Sequence, residues 1–477
     1  MVDPELNKKI NYLGLSQFNR LTLFLIIYIQ FQNILGYTLK AVSPQISHAV
    51  FLVDKVFFWV LLAFFLYTRL LGGLLTSGQT GPKKAPLFIP VLKNELIFFL
   101  SLSLFSIWCL FSGALNRNPL PVTFFGAFAY LTYCFVFFIY SSLPYPGGLI
   151  KRSYVFLLRF ALFLSVISIG QELLAFAYPQ SVDWWWNIQR GTSAAWRYGL
   201  FRAPSLLGHP NTISIFALFF LSIELARLRA AGFKKGWGKI AVLALAIFFS
   251  LSRNAVAAAA IAGFLLLIPW KRVILLSILI LVLSFILFLV KDARITTPAE
   301  EDNDIAYYQA YRKYCLKKSL LIFRDHPIAG VGPGMYGGHV SIKYNSPVYS
   351  AYGFDAKQLR YLKTKVGSIE QQWVQALAEL GGIGMVLLMI VIFTPVYILY
   401  RIRQKEKDIF LRALIGALMV MPVLMSIYML GFTVTQLRIW LVPYYFFVGA
   451  LVGSRRRAGI GSLTGPSSEN VSRCLDT

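Results

Sequence analysis

Seven arginines carry most of the chemistry visible in this sequence: Arg190, Arg197, Arg202, Arg253, Arg312, Arg324 and Arg438. A guanidinium is permanently charged, and its planar fork of donors matches two oxygens of a phosphate at once. Singly, each also reads as a solvated or snorkelling side chain. Arg253 fits that reading least, because it lies between two apolar runs with almost no loop to hold it. Several arginines converging at membrane depth suit a lipid-linked phosphate or diphosphate. Glu172 lies near the end of an apolar run, and an ionisable group in a membrane segment is a functional candidate by default.

Other chemistry-bearing residues weaken on inspection. The acidic run Glu300–Asp304 reads as solvated loop charge, so no metal site is expected there. His209 and His339 show no paired ligand spacing. Gly330–Gly338 lacks the Gly-Lys-Ser/Thr of a phosphate-binding loop and reads as a turn framework. Trp184, Trp185 and Trp186 read first as an interfacial aromatic belt. The four cysteines imply neither a disulfide framework nor a thiolate metal site. No cofactor is expected.

The elements that must position the arginines follow from composition. Of 477 residues, 57% are hydrophobic and 14% charged, against roughly 25% charged in a soluble domain. The apolar residues come in continuous runs, and about 20 residues of helix cross a bilayer core. Runs near 21–39, 50–74, 96–115, 121–143, 154–177, 211–229, 238–252, 254–270, 273–290, 372–400, 409–430 and 436–454 predict an all-α polytopic membrane protein of about twelve spans. A tight turn or broken helix is expected at Ser252-Arg253-Asn254.

Basic clusters decide orientation. Lys83/Lys84/Lys93, Lys151/Arg152, Arg227 to Lys239, Lys271/Arg272, Arg401 to Lys407 and Arg455 to Arg457 all fall on the side of the N-terminus. Both termini are therefore expected in the cytoplasm, and the seven arginines on the outer side or at outer helix ends. The net charge of +26 is then topological, and nucleic acid is not an expected partner. The expected organisation is nine spans in 1–290, a large outer loop in 291–371, three spans in 372–454 and a disordered cytoplasmic tail in 455–477. Within the loop, Tyr308, Tyr311, Cys315, Leu316 and Leu320 predict an amphipathic helix near 307–323.

At this level the motifs resemble a known family. Arg202-Ala203-Pro204-Ser205-Leu206-Leu207-Gly208-His209-Pro210-Asn211 is similar to the Arg…Gly-x-Pro-Asn element of the O-antigen ligase/polymerase superfamily, and Arg197 to Gly208 fits its Arg-x10-Gly spacing. Ser250-Leu251-Ser252-Arg253-Asn254-Ala255 is similar to its Ser-Arg-Gly/Asn-Ala turn. Arg312, followed by His326 to Met335, resembles its Arg…Pro-x-x-Gly-x-Gly element. The likeness covers about residues 195–400. One position departs: the family opens its tenth helix with His-Asn, then Glu and Gly. Here Glu379 and Gly381 are in register, but Glu370-Gln371 replace His-Asn.

The resemblance implies a C-type glycosyltransferase-like fold and an inverting, metal-independent transfer on the periplasmic face of a bacterial inner membrane. Its donor would be an undecaprenyl-diphosphate-linked glycan. The acceptor would be another glycan, making a polymerase, or lipid A–core, making a ligase; the missing histidine tilts toward polymerase. Arg197, Arg202, Arg253 and Arg312 would hold the diphosphate, and Glu370 would take the acceptor proton, since Glu and His are both competent bases. Glu172, Arg190, Arg438, His209 and Asn211 are secondary candidates. The implied partners are the lipid-linked glycan, the acceptor, the bilayer and, for a polymerase, a chain-length-regulating co-polymerase. About twelve spans also suit a lipid-linked-oligosaccharide flippase, but a transporter would show related halves and mid-membrane charges.

Overall fold

An apolar segment surrounded by lipid must satisfy its own backbone, and a helix does so without partners. The computed structural model is accordingly helical, with one antiparallel pair of two-residue strands. It describes residues 19–29, 32, 93–143, 145–178, 196–197, 200–203, 205–207, 210–232, 236–267, 304–363, 369, 371–430 and 434–459. The apolar runs expected at 50–74 and 273–290 and the Gly/Ser-rich tail beyond 459 lie outside these residues.

In chain order the elements are α1 (Asn19–Ile29), α2 (Lys93–Leu115), α3 (Leu120–Leu131), α4 (Cys134–Ser141) and α5 (Gly147–Ala177). Next come β1 (Trp196–Arg197), β2 (Leu200–Phe201), α6 (Pro210–Ala230), α7 (Trp237–Phe249) and α8 (Arg253–Leu267). The loop region holds α9 (Asp304–Asp325), α10 (His339–Lys343), α11 (Val348–Ala351) and α12 (Ala356–Tyr361). The last three are α13 (Gln372–Lys405), α14 (Ile409–Met429) and α15 (Val434–Gly459). Among the described residues α2, α5, α13 and α14 are each long and apolar enough to cross a membrane, and the bent pair α3/α4 makes a fifth if it is one span.

The single run expected at 121–143 is instead α3 and α4, which meet at 58°. The bend lays α4 along α15, whose Gly449 and Gly453 admit it closely. A Cβ at Gly449 would sit 2.6 Å from the Phe137 carbonyl oxygen, and one at Gly453 2.2 Å from that of Leu143. Small residues four apart are a common way for membrane helices to approach. The second irregularity falls where a tight turn was expected. Helices α7 and α8 are separated by Ser250–Ser252, with Leu251 at φ 48°.

Among the described helices α14 is the most deeply buried of the long apolar ones, whereas α2 exposes most of its surface. It packs on α6, α8 and α13. Phe99, Leu104, Ile107 and Phe111 of α2, with Phe163 and Phe176 of α5, face outward, as lipid-facing side chains do. At one end of the bundle cations meet carboxylates: Lys151 with Asp408 at 2.7 Å, Arg227 with Glu224 of its own helix at 2.6 Å and Arg455 with Glu406 at 2.5 Å. The amphipathic helix expected near 307–323 is α9, which buries Tyr311, Cys315 and Leu316. With Tyr336, Tyr349 and Phe354 it forms a second, aromatic-rich core.

Candidate active site

The last carbonyls of a helix have no partner within it, and at α7 the chain near Arg202 supplies them. Ala203 N–H donates to Phe249 O at 3.3 Å, and Arg202 Nε donates to Ser250 O at 3.3 Å. A cation also suits the negative end of the helix dipole. Arg202 Nη2 donates to Asn211 Oδ1 at 3.2 Å, in the first turn of α6. Arg202 is 8% exposed as a residue. Its strap is fixed on the other side by α5. Ser205 N–H donates to Gln171 Oε1 at 2.8 Å, Gln171 Nε2 returns a bond to Ser205 O at 3.3 Å, and Ser205 Oγ donates to Leu164 O at 2.6 Å.

Ser250 begins the turn that ends at Arg253, so Arg202 and Arg253 share one helix-end junction. Arg253 is the first residue of α8 and its side chain is exposed. Tyr428 of α14 hydrogen-bonds with Ser252 of that turn and lies 3.2 Å from Ser214 Oγ, which donates to Asn211 O. Glu172, on α5, borders the same strap. It is 5% exposed and accepts a hydrogen bond from the Phe201 backbone N–H, while its Oε2 has no hydrogen-bond partner. Arg202, Asn211, the Arg253 turn and Glu172 are thus brought together.

Arg312 belongs to a second group. It is half-buried on α9, which packs on α13, one turn before Cys315. Burial pushes the Cys315 thiol up to about 12, which makes it a core residue and not a nucleophile. Next to this helix the glycine-rich segment 326–338 docks on a break in α13, where Gly381 adopts φ 66°. The break frees the carbonyls of Ala378 and Glu379 to accept from Val331 N–H at 3.0 Å and Gly332 N–H at 2.8 Å. A Cβ at Gly381 would lie 2.3 Å from Ile328 O.

Glu379 explains why a carboxylate stands two residues before that glycine. It is fully buried, accepting from Tyr130 Oη at 2.7 Å, Tyr336 N–H at 3.0 Å and Gln375 Nε2 at 3.3 Å. Ser112, Asn116 and Asn118 at the end of α2 hold the carbonyls of Ala329, Gly330 and Val331 at 2.6, 3.0 and 2.8 Å. Sequence reading named Glu379 only by register and passed over Tyr130 and the α2 side chains. Their one local signal is two asparagines beyond a helix end.

Of the remaining candidates, Arg190, His209 and Glu370 lie outside the described residues. Arg197 is placed on β1 and Arg438 near the start of α15. The neighbours of Glu370 are described: Ile369 N–H donates to Gly337 O at 2.8 Å, and Gln371 is buried at the N-cap of α13. Among the described residues no three His, Cys, Asp or Glu side chains converge as metal ligands would.

A family model described as O-antigen ligase matches residues 240–389. This stretch runs from α7 into α13 and contains the Arg253 turn, Arg312, the glycine-rich segment, Glu370 and Glu379. Over this stretch the chain is similar to the O-antigen ligase family, which supports the resemblance its motifs carry. Members of that family are glycosyltransferase-like enzymes, and the apolar helices of this chain mark it as a membrane protein. Arg202 lies outside the matched stretch and touches it at Ser250. A search of curated proteins finds no match to the chain.

Proposed function

We propose that the chain transfers glycan from an undecaprenyl-diphosphate-linked donor to an acceptor hydroxyl at the outer face of the inner membrane. The observation that carries this reading is the junction of Arg202 with Asn211 and with the turn before Arg253. Arg202 is fixed against the turn that leads into Arg253, so two cationic residues belong to one helix-end junction. The N-terminus of α8 adds its own partial positive charge there.

In this mechanism Arg202, Arg253 and Arg312 hold the diphosphate. The acceptor oxygen attacks the anomeric carbon as the carbon–oxygen bond to the diphosphate breaks. The electron pair leaves with undecaprenyl diphosphate, and Glu370 takes the hydroxyl proton. Direct displacement inverts the anomeric carbon. The leaving group is already good, so the protein supplies positioning and charge stabilisation, and no metal takes part.

The replacement of His-Asn by Glu370-Gln371 favours polymerase, with a second lipid-linked glycan as acceptor. The description of the matched family favours the second reading, ligation to lipid A–core. Purified protein given a diphosphate-linked oligosaccharide separates them: a product ladder on a gel identifies a polymerase, and transfer only to lipid A–core a ligase. Full activity in both Arg253→Ala and Glu370→Ala would remove the site assignment. Lipid flipping without glycosidic bond formation would remove the transferase reading.

A further inference from the structure

A cavity of about 250 Å³ lies in the loop region, among α10, α11, α12 and the turn between α10 and α11. It is separate from the Arg202 junction, and none of the motifs reaches it. Its apolar lining includes Ile342, Pro347, Leu359 and Leu362. Its polar lining includes Asn345, Ser350 and Lys363. Pockets for drug-sized ligands run to roughly 300–1,000 Å³, so this smaller cavity suits one small ring.

The polar groups keep capacity for a ligand. Lys363 Nζ donates to Asn345 Oδ1 at 2.8 Å, which uses one of three ammonium donors. It turns the amide so that Asn345 Nδ2 is the end left to donate. Ser350 Oγ donates to Pro347 O at 2.9 Å and retains its lone pairs. No carboxylate lines the cavity. Asn345 sits at φ 49°, a left-handed conformation that asparagine tolerates better than most residues. Apolar walls with amide, hydroxyl and ammonium groups match a pyranose, which offers C–H patches on its faces and hydroxyls around its edge.

The cavity is also wired to the reacting region. Its wall residue Tyr349 accepts the Gly337 N–H at 3.0 Å, and the Gly337 carbonyl accepts from Ile369 N–H at 2.8 Å, the residue before Glu370. On the other side of Gly337, Tyr336 N–H is held by Glu379. A ring in this cavity therefore lies against Tyr349, whose hydroxyl holds the Gly337 peptide to which Ile369 is bonded.

We propose that this cavity is a subsite for one neutral or acidic sugar ring of the acceptor glycan. The assignment to the acceptor rests on the transferase reading above; sugar binding itself does not. The test uses the purified full chain in detergent, with saturation-transfer NMR against free glucose, galactose, N-acetylglucosamine and glucuronic acid. Two variants probe the cavity. Asn345→Gly with Lys363→Ala removes the amide and ammonium and keeps the positive φ accessible, while Ser350→Trp fills the space from an exposed position.

Expected is binding of at least one sugar by the parent, weakened about tenfold or more in both variants, with acceptor KM raised by a similar factor and kcat nearly unchanged. If the parent binds no sugar, or both variants bind and transfer as the parent does, the subsite is overturned. Binding that is lost in the variants, in a protein that forms no glycosidic bond, supports the subsite and overturns the transferase reading. Transfer that is normal in both variants but lost in Arg253→Ala does the reverse.

Discussion

The two ends of the helix bundle treat their cations differently. At one end Lys151, Arg227 and Arg455 each meet a carboxylate within 2.7 Å, across α5/α14, within α6 and between α15 and the chain before α14. Arg227 also lies over the rings of Tyr154 and Phe410. At the other end Arg202 is held by a carbonyl and an amide oxygen, and Arg253 is exposed beside it. A cation whose charge is cancelled locally ties helices together. One bonded to a backbone carbonyl and an amide oxygen at a helix end is positioned before a ligand arrives. The same residue type therefore serves as fastening at one end and as candidate chemistry at the other.

The comparison predicts that removing cations at the two ends has different consequences. Arg253→Ala should lower glycan transfer by about 100-fold or more, as loss of a preorganised charge contact does, with unchanged thermal unfolding because the side chain is exposed. Near-normal transfer would dissolve the distinction between the ends. Gly381→Ala tests the dock beneath the loop. With φ 66° and Ile328 O in the way, it should destabilise by about 1–3 kcal/mol, read as a lowered Tm in detergent. Glu379→Ala should act similarly, because Tyr336 N–H loses its buried acceptor.

Smaller effects sharpen the contrast. Glu172→Gln preserves an acceptor for the Phe201 N–H and should leave Tm unchanged. If the carboxylate serves the site, transfer falls about 10-fold or more and its pH profile changes; an unaltered profile would make Glu172 a structural residue. Asp408→Asn addresses the fastened end. Burial alone would raise this carboxyl, but Lys151 and the backbone N–H groups of Leu411 and Phe410 outweigh it, holding the carboxyl below its usual range. Its contribution is present above the unfolded pKa of about 3.9 and is lost as pH falls through the lower folded value. The variant should therefore lose at most about 1 kcal/mol near pH 7, and its unfolding curve should converge on that of the parent below about pH 4.

Much of this protein was open to reading in one dimension. Continuous apolar runs dictate helices because lipid offers no hydrogen bonds, and α5, α6, α13 and α14 lie where the runs predict. The turn at Ser250–Ser252 and the amphipathic α9 were legible for the same reason, as local breaks or periodicities in side-chain polarity. The motif arginines could be singled out because charge among apolar runs is costly.

Pairings across long sequence separations were not legible. Arg202 reaches a carbonyl 48 residues away, and Tyr336 a carboxylate 43 residues away. Backbone carbonyls carry no sequence signature, so nothing in the chain announces Ser250 O as a partner. The bend between α3 and α4 is likewise set by α15 packing through Gly449 and Gly453. The sugar-sized cavity depends on three short helices that expose a patch only when folded over a common aromatic core. Sequence alone determined which segments are helical and which charges are anomalous. Tertiary structure decided which anomalous charges meet, because their meeting depends on helix ends, and an end's position is a property of the packed bundle.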